Sequence, residues 1–245
     1  MKKIFLLFSI ALSTLILAQQ KPTLFLIGDS TMANKENPDK NPEHGWGQVL
    51  SQFLTTGIEV QNHAMNGRSS KSFRTEGRWD KVKNQLKKGD FVIIQFGHND
   101  QKFKDSTKFT NPYTQYRANL ERYVNETRAK GATPILMTSI TRRNFNENGV
   151  LIDTHKEYPL VVRMVANDMK VPFVDMQLLT EQLEVSYGPE KSKLLHLHFK
   201  AGENAYYPKD KADDTHLSKL GAESIAKLAV KDLKTLKTGL EKYIK

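Results

Sequence analysis

Phe91-Val92-Ile93-Ile94-Gln95-Phe96 is apolar at five of six positions and ends at Gly97. A run this short and this continuous reads as a strand buried on both faces, the kind found at the centre of a parallel sheet with helices on either side. Thr23–Ile27, Ile58–Asn62, Ala132–Ile140 and Val171–Val174 read as further strands. Apolar spacing predicts helices over Trp46–Leu54, Arg78–Leu86, Pro112–Lys130, Val161–Met169 and Met176–Tyr187, and a last one from about Ser218 to the end. Strands that alternate with helices in this way build right-handed βαβ units. The expected fold is therefore α/β: three layers, α/β/α, around a five-stranded, doubly wound parallel sheet. Residues 21–245 show no repeat and no break in composition, which fits a single domain of this length.

Residues 1–18 stand apart from it. Lys2 and Lys3 precede the apolar run Ile4–Leu17, and the small Ala18 follows. That is the pattern of a secretory signal peptide, and the run is shorter than the ~18 apolar residues a membrane-spanning helix needs. The expectation is an exported protein, periplasmic or extracellular, with no membrane anchor after cleavage. The chain has no cysteine. This excludes disulfides, thiolate metal sites, a cysteine nucleophile and a lipoprotein anchor. A formal charge of +10 suits an acidic polymer as partner, or simply a soluble surface. Export argues against nucleic acid.

In open parallel sheets, sites form beyond the carboxyl ends of the strands. Three of these ends carry unusual residues: Gly28-Asp29-Ser30-Thr31, Asn66-Gly67-Arg68-Ser69-Ser70 and Gly97-His98-Asn99-Asp100. With the first strand between the second and third, a serine, a close-approach glycine and an amide side chain converge above one crevice. A serine hydroxyl is a weak nucleophile and needs a base, an orienting group and donors for an oxyanion. Asp213-Asp214-Thr215-His216 offers the first two. A spacing of three places Asp213 and His216 on one side of a helical turn, with the carboxylate fixing the imidazole tautomer for Ser30.

These four blocks, in this order, resemble those of the SGNH (GDSL-type) hydrolases. The form of the second and last blocks is most similar to rhamnogalacturonan acetylesterases, which remove acetyl groups from pectin. The resemblance implies a flavodoxin-like fold. It implies Ser30 as nucleophile, His216 as base and Asp213 as its orienter. It also implies an oxyanion hole of the Ser30 and Gly67 backbone N–H groups and the Asn99 amide. No metal and no cofactor are called for. The implied activity is hydrolysis of O-acetyl esters through an acetyl-enzyme, on an acetylated acidic polysaccharide, by a monomer. Rival readings are the same chemistry on xylan or another acyl ester, and an idle site in a secreted carbohydrate-binding protein.

Substrate contacts are assigned to Arg68, for a galacturonate carboxylate, and to Phe199, Tyr206 and Tyr207, as a stacking wall or a loop anchor. Asp29, His98 and Asp100 read as loop braces. His196 and His198 alternate like metal ligands, but nothing clusters with them, so they read as surface or substrate-facing.

Overall fold

The structure, a computed structural model, describes residues 21–245. The signal peptide reading, residues 1–18, lies outside the described residues. In chain order the strands are β1 (Thr23–Gly28), β2 (Glu43–His44), β3 (Glu59–Asn62), β4 (Phe91–Gln95), β5 (Thr133–Met137), β6 (Phe173–Val174), β7 (His196–Phe199) and β8 (Lys211–Ser218). The α-helices are α1 (Trp46–Val49), α2 (Ser70–Thr75), α3 (Arg78–Lys83), α4 (Arg117–Ala129), α5 (Tyr158–Asp168), α6 (Met176–Lys191) and α7 (Lys219–Leu233).

Five strands form the parallel sheet in the order β3-β1-β4-β5-β6. Its alternating side chains feed two cores. Leu24 and Leu26 of β1 and Phe91 and Ile93 of β4 pack on one face with Trp46, Leu50 and the α7 residues Ile225, Ala229 and Leu233. Phe25, Ile27, Val92 and Ile94 pack on the other with Trp79, Leu120, Tyr123, Val161 and Val165. Burial on both faces is why these strands read as continuous apolar runs rather than alternating ones.

The chain reverses its direction of growth across the sheet at β1. β1 pairs with β3 on one side and β4 on the other, so the loops leaving all three strands rise side by side. Gly28, at the top of β1, permits this close pairing, because a Cβ there would lie 2.7 Å from the Gln95 carbonyl. Gln95 is the one polar residue in the β4 run and is fully buried. Its side chain accepts from Trp46 Nε1 at 2.9 Å and donates to the Thr138 carbonyl at 3.0 Å. Gln95→Leu strands both partners without water. Each buried unpaired group costs about 1–3 kcal/mol, so urea denaturation of this variant should show about 2–5 kcal/mol of lost stability.

The end of the chain differs from the sequence reading. The stretch from His196 to Asp214, to which the sequence reading assigns no strand, contains β7 and part of β8, which join β2 in a second, antiparallel sheet ordered β2-β8-β7. The expected helical turn at Asp213–His216 is instead part of β8. Asp213 pairs with Leu197 and Leu217 with His196, so three residues of β8, Asp214 to His216, bulge out between neighbouring rungs. The last helix ends at Leu233, well short of the terminus, and Leu240–Tyr243 form a short 3-10 turn. Among the described residues, no helix is long and apolar enough to cross a membrane.

Candidate active site

Ser30 sits in a tight turn directly after β1, where Met32 and Ala33 donate back to the Asp29 carbonyl at 3.2 and 3.0 Å. Its side chain is nearly closed off, with the residue 8% exposed. His216 Nε2 is 3.0 Å from Ser30 Oγ. His216 Nδ1 is 3.0 Å from Asp213 Oδ2. The other Asp213 oxygen accepts from the backbone N–H groups of Thr215 and His216 at 3.0 and 2.9 Å. The bulge of β8 thus folds its own backbone around the carboxylate it carries, and this aims the imidazole at Ser30. Burial alone would raise the Asp213 carboxyl. The hydrogen bonds from the His216 ring and backbone, the charge of His216 and the Thr215 N–H outweigh it and hold the group well below the usual carboxylate range.

Asp214 points away from this chain of contacts. Its Oδ1 accepts from Arg143 Nη1 and lies against His198 Nε2, both at 2.8 Å. His196, buried rather than surface-facing, lies 2.7 Å from the Glu184 carboxylate. The alternating histidines therefore serve the ribbon's packing. Among the described residues, no group of three or more His, Asp or Glu is arranged to hold a metal ion.

The two further donor residues named from the sequence lie in the loops after β3 and β4, the strands that flank β1. Gly67 has φ +76°, a conformation that favours glycine, and nothing lies within 4 Å of where its Cβ would be. The residue is required for its backbone angle rather than for close chain packing. Among the described residues, neither the Ser30 nor the Gly67 N–H meets an acceptor. Asn99, 2% exposed, donates one amide hydrogen to the Arg68 carbonyl at 3.1 Å, which leaves the second free.

The supporting residues lie underneath. Asp100 accepts from the Ser70 hydroxyl at 2.5 Å and from Thr110 Oγ1 at 2.8 Å, welding the β4 loop to the start of α2. Burial pushes Asp100 up to about 7 against those hydrogen bonds, and Asp29 adds repulsion. Asp29 is raised by burial as well, while its Oδ1 accepts from Thr31 N–H and hydroxyl. Both carboxylates brace loops, as read from the sequence. His98 does so by packing alone. Its ring stands edge-on to His155 at 4.6 Å, with neither nitrogen hydrogen-bonded.

Of the assigned substrate contacts, Arg68 is already engaged. Its Nε meets Glu76 at 2.9 Å and its Nη1 donates to the Asn66 carbonyl at 2.8 Å, so the side chain shapes the Gly67 loop instead of presenting a free cation. Phe199 and Tyr207 stack on each other at 5.4 Å, with Lys211 Nζ 5.6 Å from the Tyr207 ring centre. Tyr206 is 39% exposed. Lys211 also reaches Asp213 Oδ2 at 3.0 Å, which connects this aromatic pair to the serine site.

Residues 26–223 match the model of the GDSL-like lipase/acylhydrolase family. The chain belongs to that family. Among curated relatives, it is 39% identical over 221 residues to the rhamnogalacturonan acetylesterase RhgT of Bacillus subtilis, covering 90% of this chain and 93% of that one. It is 28% identical to a rhamnogalacturonan acetylesterase of Emericella nidulans, with 89% and 88% covered. Among solved structures, the YxiM protein of Bacillus subtilis superposes with a TM-score of 0.76 at 26% identity, over 88% of this chain and 57% of that one. The acetylxylan esterase Axe2 of Geobacillus stearothermophilus shares the fold, with a TM-score of 0.62 at 22% identity, over 86% and 94%. This family member is a serine carboxylic ester hydrolase with the three-layer α/β/α fold.

Proposed function

We propose that this hydrolase is an exported carbohydrate esterase that removes O-acetyl groups from rhamnogalacturonan, with Ser30, His216 and Asp213 as its catalytic triad. The observation that carries the chemistry is the unbroken line Ser30–His216–Asp213, with both links at 3.0 Å. The substrate class rests on the similarity to rhamnogalacturonan acetylesterases along nearly the full chain.

Ser30 Oγ attacks the acetyl carbonyl while His216 Nε2 takes its proton. Asp213 holds the imidazole so that Nε2 is the accepting nitrogen, and stabilises the imidazolium that results. The carbonyl oxygen becomes an oxyanion, met by the Ser30 N–H, the Gly67 N–H and the free Asn99 amide hydrogen. One such donor is worth about 3 kcal/mol of transition-state stabilisation in a water-poor site. The C–O bond to the sugar breaks, and His216 returns its proton to the leaving alkoxide. Water then attacks the acetyl-enzyme by the same route, releasing acetate and restoring Ser30. The stacked Phe199–Tyr207 pair suits a ring-shaped substrate.

Acetate release from acetylated rhamnogalacturonan and acetylated xylan, measured in parallel with Ser30→Ala as blank, tests this. Release from the pectic polymer alone is expected. Equal release from both, or release from xylan only, keeps the mechanism and removes the substrate assignment. Release from neither removes the carbohydrate reading.

A further inference from the structure

Lys35 has no assigned part in catalysis, yet it is one of the most enclosed cations in the chain. Its side chain is 3% exposed. An ammonium has three hydrogens and no acceptor, and a buried one is tolerated only where its donors are met. Lys35 Nζ lies 2.6 Å from the Ser30 carbonyl, 2.7 Å from Asn66 Oδ1 and 2.8 Å from Glu43 Oε1. Each acceptor belongs to a different part of the site. Ser30 is in the turn after β1. Asn66 is in the loop after β3 and immediately precedes Gly67. Glu43 is in β2, where it pairs with Ser218 of β8, two residues beyond His216.

The Asn66 carbonyl and the Gly67 N–H form one peptide group. The orientation of that N–H is the orientation of the peptide. Two cations grip it: Lys35 through the Asn66 side chain, and Arg68 through the Asn66 carbonyl at 2.8 Å. Lys35 itself is fixed at its backbone, where its N–H donates to Gln48 Oε1 at 3.0 Å. The Arg68 N–H closes a turn on the Met65 carbonyl at 3.3 Å, and this fixes the two ends of the segment. With φ +76° and nothing packed around the Gly67 Cβ position, the side-chain grips of Lys35 and Arg68 hold the central peptide between those ends.

We propose that Lys35 is a positioning residue of the oxyanion hole: its ammonium fixes the Asn66–Gly67 peptide against the Ser30 turn and the ribbon that carries His216. The inference rests on Ser30 acting as nucleophile, but not on the identity of the natural substrate. It acts through Asn66, so the two residues form one unit.

Kinetics on 4-nitrophenyl acetate, a small ester free of polysaccharide contacts, test it. Misplaced donors cost rate rather than binding, so Lys35→Met should lower kcat about 10- to 100-fold with KM changed by less than about threefold. Asn66→Ala removes only the grip on the oxyanion loop and should lower kcat about 10-fold. The double variant should fall no further than Lys35→Met alone. Affinity for methylboronic acid, which forms a tetrahedral adduct on a catalytic serine, should fall in step with kcat/KM.

Leu233→Ala, on the buried face of α7, controls for stability loss without touching these groups. It should retain kcat at an equal drop in Tm. The proposal is overturned if folded Asn66→Ala and Lys35→Met keep kcat within twofold. It is equally overturned if Leu233→Ala loses as much kcat, or if boronate affinity stays unchanged. Activity that survives Ser30→Ala would overturn this inference together with the triad, which separates the two failures.

Discussion

Ser30→Ala is expected to lower kcat for acetyl-ester hydrolysis by about 10⁵- to 10⁶-fold and to leave the protein folded. The size follows from what the hydroxyl does. It is the group placed to form the acyl bond, and among the described residues His216 Nε2, at 3.0 Å, faces no other hydroxyl. Without it, water must attack the bound ester directly, helped only by the donors of Ser30 N–H, Gly67 and Asn99. That residual help is why the loss is not larger. The fold should not notice. The turn is built from backbone bonds to the Asp29 carbonyl and from Lys35 to the Ser30 carbonyl, none of which involves Oγ. The measurement is kcat on 4-nitrophenyl acetate alongside Tm. A variant with wild-type Tm and a tenth of the wild-type rate, in a preparation free of host esterase, would sink the nucleophile assignment.

The parts legible in the sequence are those whose environment is set by short-range chemistry. A strand buried on both faces must be apolar throughout, so Phe91–Phe96 announced β4 and its place beside β1. Gly28-Asp29-Ser30 and Gly97-His98-Asn99-Asp100 stood out because polar residues and glycines directly after such strands have few structural reasons to be there. The topology then brought them together without further information. The last block was harder. Asp213 and His216 were legible as partners, but a spacing of three suits a helical turn as well as a bulge. The bulge arises because Leu217 and Asp213 take adjacent rungs on β7, a pairing across a long polar loop that leaves no local trace. The same holds for β7 itself: the alternation of His196 and His198 carries no sign of Glu184 and Asp214, the carboxylates that lie beside them.

Lys35 shows the limit most clearly. A lysine in a polar loop is almost always solvated, and nothing adjacent to it in the chain marks it as buried. Its three acceptors come from residues 5, 31 and 8 positions away, on three separate elements. Only the assembled sheet reveals that they share one cation. Arg68 illustrates a related point: sequence gives a charge but not the charge's partner. Its guanidinium is spent on Glu76 and the Asn66 carbonyl.

Asp213→Asn should reduce kcat by about 10⁴-fold while KM changes little, because the substitution reverses the imidazole tautomer. Oδ1 receives two backbone N–H groups, from Thr215 and His216. An asparagine must keep its carbonyl oxygen there, which turns its NH₂ toward His216 Nδ1. That nitrogen then accepts, Nε2 carries the proton, and Ser30 Oγ faces a donor where it needs a base. The same carboxylate sets a pH signature. Its folded-state value is depressed by the hydrogen bonds from His216 and Thr215, which outweigh burial. A depressed carboxyl contributes stability that is fully present above its unfolded value of about 3.9 and is lost as pH falls through the lower folded value. Wild type should therefore be more stable than Asp213→Asn at pH 6, with the gap closing as pH drops below about 4. Urea midpoints from pH 6 to pH 2.5 read this directly. A gap that stays constant across the range would mean that the carboxylate's charge is not what the bulge is built around. Because Asp213 stays ionised well below neutrality, it also follows that any loss of activity between pH 7 and pH 5 belongs to other groups of the site, and that Asp213→Asn should be inactive at every pH in that range rather than shifted along it.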